Sequence, residues 1–310
     1  MTSSGSHLKG YMNAWLLKRL LGVANRAGRL LLFHWQTPNA RLLARGLAYG
    51  PDAEQRLDVV SAGEGAGRPV LVFFHGGGWL SGDKASYTRV CKQLAQAGVV
   101  VFNANYRLGP RYNYPAQLQD AARAVDWACQ HAEQFGGDAR RVFVAGDSAG
   151  AHLAAWVTTA LNQPLLWQEI GVRMSLPAQA LRGALLFFGV YDFETVLKTS
   201  FWNIHTMTHE GFLGTDSALY AERARTASPL RHLSRGCAPL FLCCGEVDPL
   251  SPESEALAER AREMGVPTET LFFSRREYPE ARHAFLSIPF LACTRQAFTA
   301  ASQFIRQRAA

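Results

Sequence analysis

Two glycine-rich clusters carry the residues best suited to chemistry: His75-Gly76-Gly77-Gly78-Trp79 and Gly146-Asp147-Ser148-Ala149-Gly150. Together they supply the two devices that acyl transfer needs. One is a hydroxyl that can be activated as a nucleophile, and the other is a set of backbone N–H donors for the oxyanion formed when it attacks. Ser148 is the candidate nucleophile. The consecutive glycines let the backbone approach a ligand without Cβ interference, so the N–H groups of Gly77 and Gly78, with that of Ala149, are the candidate oxyanion hole. The bland readings are a helix N-cap for Ser148 and a flexible turn or phosphate loop for the glycines. An N-cap explains the serine but not both flanking glycines. The glycine run lacks the Gly-Lys-Ser/Thr of a P-loop and the G-x-G-x-x-G spacing.

A serine hydroxyl needs a neighbouring base, and a Gly-x-Ser-x-Gly elbow has its partners in the chain order Ser, acid, His. Only His205, His209, His232 and His283 lie far enough beyond Ser148. Asp248 follows the apolar run Pro239–Cys244 by a few residues and is the candidate acid. Asp192 and Glu246 are rivals, for which turn or cap chemistry is the preferred reading. Only His283 lies beyond Asp248, which makes it the candidate base. His75 ends a buried run and precedes the serine, so it is expected to hold the glycine loop through backbone hydrogen bonds. His152 is expected to be packed, and His205 and His209 to lie on a surface insertion.

These residues need a scaffold that alternates strands and helices. Strands are predicted at 46–49, 56–60, 70–74, 99–103, 141–145, 181–188, 239–244 and 268–273. Helices are predicted at 85–97, from Pro115 through Ala128, after Ser148, and at 296–306. Pro249 reads as a stop to regular structure. This rhythm predicts an α/β class fold: a mostly parallel central sheet with helices on both faces. The stretch from Tyr191 to Arg235, rich in aromatics, His and Thr, breaks the rhythm and reads as an insertion over the C-terminal edge of the sheet. With the N-terminal helix it would form a helical cap. The expected division is a catalytic core of 46–190 and 236–310, with a cap of 1–45 plus 191–235.

Composition bounds the function. The chain has 310 residues, 48% hydrophobic and 18% charged, enough for a sizeable core and too little charge for a disordered protein. The net charge of +7 comes mostly from arginines scattered along the chain, with no basic block, so no nucleic-acid partner is expected. Six cysteines without C-x-x-C or a Cys/His cluster argue against a disulfide framework and a zinc site. They point to a reducing compartment, so the expected location is cytoplasmic. Met1 to Gly10 reads as a flexible polar leader. Tyr11–Trp35 is apolar but broken by Lys18, Arg19, Arg26 and Arg29, which spoils it as a secretory segment. A basic amphipathic helix can lie on a membrane surface, but covering the protein's own core or site is the favoured reading. A homodimer stays open.

The set resembles the hormone-sensitive-lipase family (bacterial family IV) of carboxylesterases, a group with the α/β-hydrolase fold. The likeness runs from Val70 to Ile305. It rests on His75-Gly76-Gly77-Gly78-Trp79, Tyr106-Arg107-Leu108, Tyr114-Pro115-Ala116, Gly146-Asp147-Ser148-Ala149-Gly150, Asp248-Pro249-Leu250 and His283-Ala284-Phe285. The resemblance implies a Ser148, His283 and Asp248 triad and a hole from Gly77, Gly78 and Ala149. It also implies a small-molecule ester substrate selected by the cap, and no cofactor or metal. Three departures bear on substrate: Gly109-Pro110-Arg111 replaces the family's usual Ala-Pro-Glu, Ala151 replaces a frequent third glycine, and the loop before His283, Ser274 to Arg282, is long and charged. The run Ser148-Ala149-Gly150-Ala151-His152-Leu153 is similar to that of kynurenine formamidases on the same fold. The expected activity is therefore serine carboxylesterase action on short-to-medium acyl esters. A small-amide hydrolase with the same triad is the alternative. A non-catalytic ligand-binding protein is the alternative of a different class, and a membrane-active lipase resting on Tyr11–Trp35 is a further one.

Overall fold

The structure, a computed structural model, describes residues 4–31 and 37–309, with side chains at 14–28 and 37–309. Its frame is an eight-stranded sheet: β1 (Arg41–Ala48), β2 (Arg56–Ser61), β3 (Arg68–Phe74), β4 (Val100–Ala104), β5 (Gly137–Asp147), β6 (Leu181–Phe187), β7 (Leu240–Gly245) and β8 (Thr268–Phe273). The spatial order is β1-β2-β4-β3-β5-β6-β7-β8. The pairs β1/β2 and β2/β4 are antiparallel, and β3 to β8 with β4 run parallel. The inner strands are continuous buried runs such as Pro69–Phe74, as strands covered on both faces must be.

The helices are α1 (Ser4–Leu31), α2 (Thr88–Ala95), α3 (Ala116–His131), α4 (Ala149–Ala160), α5 (Pro164–Glu169), α6 (Ser217–Ala227), α7 (Pro229–His232), α8 (Ser251–Glu263) and α9 (Ala292–Arg308). Alternation along β3 sorts them. Val70, Val72 and Phe74 share a core with α3, α4 and α8, while Leu71 and Phe73 share one with α2 and α9. The expected α/β sheet with helices on both faces is the observed fold.

Four local expectations change. β1 begins at Arg41, so the last five residues of the 1–45 stretch belong to the sheet. β5 extends well beyond 141–145 on its N-terminal side. Pro249 does not end regular structure: α8 starts two residues later with Pro252 in its first turn, where a missing N–H costs nothing. The polar leader is helical from Ser4, and α1 runs unbroken through most of Tyr11–Trp35, although Trp35 and Met1–Ser3 lie outside the described residues. Between Tyr191 and Arg235 the chain forms a rare π-helix, Thr206–Leu213, followed by α6 and α7. α1 packs against this π-helix. Cys243 and Cys244 are buried on β7, and burial pushes both thiols up, that of Cys244 to about 12. No described helix is long and apolar enough to cross a membrane.

Candidate active site

β5 ends in a sharp turn into α4, and Ser148 sits on that turn at φ 52° and ψ −119°. A side chain in this region is strained by about 1–3 kcal/mol, so surrounding structure must hold it. Part of the hold is the Ser148 N–H, which donates to the Phe187 carbonyl at the end of β6 (2.9 Å). The flanking glycines are demanded by backbone crowding. A Cβ on Gly146 would lie 2.3 Å from the Gly150 carbonyl carbon, and one on Gly150 would lie 2.0 Å from the Phe74 oxygen.

Sheet order brings the other groups to this point. Asp248 follows β7 and His283 follows β8, both at the edge where β5 ends. His283 Nε2 lies 3.0 Å from Ser148 Oγ, and His283 Nδ1 lies 2.8 Å from Asp248 Oδ2. Asp248 is buried, and its other oxygen accepts the Leu250 N–H at 2.9 Å, which fixes the carboxylate plane. With Nδ1–H donating to Asp248, the Nε2 lone pair faces the serine hydroxyl.

The rival acids are engaged elsewhere. Asp192 accepts the Glu194 N–H at 2.7 Å and pairs with Arg231 at 2.8 Å. Glu246 accepts the Arg275 N–H at 2.8 Å and so ties down the long loop before His283. His205 and His209 stack within the insertion, His209 in turn on Tyr220, and His232 bonds the Arg225 carbonyl.

The glycine loop is held from several sides. His75 Nδ1–H donates to the Gly76 carbonyl (2.8 Å), and its ring stacks on Tyr106, whose hydroxyl donates to the His75 carbonyl (2.8 Å). The Gly76 N–H donates to Asp147 Oδ1 (2.7 Å), and the Tyr87 hydroxyl donates to Asp147 Oδ2 (2.9 Å). Asp147 is buried, and desolvation pushes its carboxyl up to about 6 against the pull of these two donors. The N–H groups of Gly77, Gly78 and Ala149 have no hydrogen-bond partner among the described residues. They are therefore free to receive an oxyanion.

A second tether reaches the insertion. Trp79 Nε1–H donates to His152 Nδ1 (3.1 Å), and His152 Nε2–H donates to the Ala227 carbonyl (2.8 Å). Burial holds the His152 imidazole down to about 4, so it stays neutral and can serve both partners. Glycine loop, nucleophile helix and insertion are thus joined through one ring. The insertion also roofs the site. Met207 packs so closely on Gly78 that a Cβ there would be 2.6 Å from its sulfur, and the Phe201 ring lies 4.6 Å from that of His283. Ser148 keeps only 9% of its surface exposed beneath this cover.

Sequence reasoning missed the parts played by Asp147, Tyr87, Met207 and Phe201. Asp147 stands inside the serine motif and could have been asked for a partner. Met207 and Phe201 carry no local signal, because only the path of the insertion brings them here.

A model of the alpha/beta hydrolase fold family matches residues 71–287. Esterase LipQ of Mycobacterium tuberculosis is 31% identical over 277 residues, covering 84% of this chain and 62% of that protein. Ethyl acetate hydrolase of Pseudomonas putida is 30% identical over 207 residues, covering 64% and 62%. The chain thus spans about three fifths of the length of these relatives. Among solved structures, the carboxylesterase EstE1 from a metagenomic library is 26% identical at a TM-score of 0.77, covering 96% of this chain and 98% of that one. An inhibited esterase B from Lactobacillus rhamnosis matches at a TM-score of 0.82 with 21% identity, covering 98% and 97%, and supports the fold. With the elbow, the glycine loop and the sheet order all in agreement, this chain belongs to the α/β-hydrolase-fold family, in its hormone-sensitive-lipase group.

Proposed function

We propose that this protein is a serine carboxylesterase acting on short-to-medium acyl esters through a covalent acyl-enzyme. The observation that carries the reading is the hydrogen-bonded chain Ser148–His283–Asp248, at 3.0 and 2.8 Å, beside three backbone N–H groups without a partner among the described residues. His283 Nε2 takes the Ser148 proton as Oγ attacks the ester carbonyl. The N–H groups of Gly77, Gly78 and Ala149 receive the developing oxyanion, and His283 returns the proton to the leaving alkoxide. Water then repeats the cycle on the acyl-enzyme. Asp248 keeps His283 in the right tautomer and stabilises its charged form. Residues 1–40 with 191–235 serve as the cap, and the closeness of Met207 and Phe201 to the site favours short acyl groups. The ethyl acetate hydrolase among the relatives lies at the same small-ester end by its name.

The amide reading rests on Ala151 within the run Ser148-Ala149-Gly150-Ala151-His152-Leu153. Ala151 and its neighbour His152 are both buried, and both ring nitrogens of His152 are engaged in hydrogen bonds to Trp79 and Ala227, so neither offers a polar group to a substrate. The test is release of p-nitrophenol from a short p-nitrophenyl ester. Ser148→Ala should lower kcat by at least about 10⁴-fold, and a fluorophosphonate should label Ser148 in the parent. Full activity in the Ser148→Ala variant would overturn the assignment.

A further inference from the structure

We infer that the outward face of α1 docks this protein on an anionic lipid bilayer. Two observations meet on this helix. The first is its exposed apolar surface. Ala14 and Leu17 point inward and are buried, Leu21 packs on the same core, and Lys18 Nζ donates to the Gly109 carbonyl at 2.9 Å. On the other side Trp15, Leu16, Leu20 and Val23 are 44, 58, 54 and 66% exposed. At about 100° per residue these four fall within an arc of about 140°, so they form one patch. They are four of the ten exposed large apolar side chains among the described residues, gathered within nine residues of sequence. Over the described side chains, residues 14–28, the core-covering role therefore uses only one side of the helix.

The second observation is charge. The chain holds 32 Lys and Arg against 25 Asp and Glu. Residues 1–51 contain seven Lys and Arg and no Asp or Glu, so the rest of the chain balances at 25 of each. The arginines are scattered along the chain, but, contrary to the expectation from composition, their net excess is not: all of it lies in the N-terminal segment that contains this helix. Arg19 falls within the same arc and Arg26 lies on it just beyond Val23, and the Arg19 guanidinium lies 3.8 Å over the Trp15 ring.

An apolar stripe that also carries arginines and an aromatic ring is the chemistry that seats a helix at a headgroup boundary. The same charge argues against a second copy as the occupant, because two such faces would repel. A helix that is already folded against the core pays no ordering cost on docking. Because α1 lies on the π-helix that covers Gly78, docking places the roof of the site near the bilayer. The inference stands on surface and charge alone and does not depend on the esterase reading.

The test is flotation of the full chain with vesicles of phosphatidylcholine, with and without about 30% phosphatidylglycerol. The expected result is binding to the anionic vesicles at least about tenfold stronger than to the neutral ones, lost on raising salt from about 0.05 to about 0.5 M. The triple variant Leu16→Ser, Leu20→Ser, Val23→Ser and the double variant Arg19→Gln, Arg26→Gln should each weaken it at least about tenfold. Neither set touches the core, so the circular dichroism spectrum and the hydrolysis of a water-soluble ester should match the parent. Equal binding to both vesicle types, binding retained by both variants, or self-association through this face without vesicle binding would each overturn the inference.

Discussion

Asp147→Asn separates electrostatics from shape at the centre of the site. The asparagine is isosteric and can still accept the Gly76 N–H, but it cannot ionise. In the parent, burial pushes the Asp147 carboxyl up to about 6 from an ordinary 3.8. Between about pH 4 and pH 6 the folded chain holds a proton that the unfolded chain has released. Its contribution to stability is therefore fully present below about pH 4 and lost as pH rises through about 6. A shift of about two pK units corresponds to about 3 kcal/mol. His152 runs the opposite way: burial holds it down to about 4 from 6.5, so its contribution is present above about 6.5 and lost as pH falls through about 4. The two slopes overlap and largely cancel in the parent. Removing the Asp147 arm should unmask the other, so the variant gains about 3 kcal/mol on the parent between pH 4 and 6.5. The assay is urea unfolding followed by tryptophan fluorescence at several pH values across this range. The difference between the two stability profiles is the readout, which removes any constant offset from the substitution. Parallel profiles would refute the reasoning.

Other expectations follow from single contacts. Asp248→Asn should leave the fold intact and lower kcat on a p-nitrophenyl ester by about 10⁴-fold, since an amide no longer enforces the His283 tautomer. His152→Leu strands the buried Trp79 N–H and the Ala227 carbonyl, at about 1–3 kcal/mol each. Thermal unfolding should register that loss, and kcat should fall because the glycine loop loses its tie to α4 and the insertion. Gly150→Ala drives a methyl group to 2.0 Å from the Phe74 oxygen, so it should cost at least about 3 kcal/mol in urea unfolding and abolish activity in whatever still folds.

Much of this molecule can be read locally. The strands at 70–74, 181–188 and 268–273 follow from short apolar, β-branched or aromatic runs, and the glycines around Ser148 follow from the crowding of a strand-to-helix turn. Chain order then singles out His283, because it is the only histidine beyond Asp248. Pro249 misled, because it lies in the short turn between β7 and α8, and regular structure resumes two residues later with a second proline, Pro252, in the first turn of α8.

Other features depend on groups far apart in the chain. Ser148 and His283 are separated by 135 residues, and Asp147 and Gly76 by 71. No local pattern records such distances. They exist because β3, β5, β7 and β8 lie in one sheet with their carboxyl ends at one edge. The same holds for the acid: Asp192 follows β6 while Glu246 and Asp248 both follow β7, and the turn after β7 sends Glu246 to the Arg275 N–H and sets Asp248 2.8 Å from the imidazole. Residue chemistry and spacing thus specify which reaction the chain can attempt. Packing of the sheet and the insertion selects the groups that meet, buries Asp147 and His152 enough to shift their protons, and leaves one side of α1 without cover.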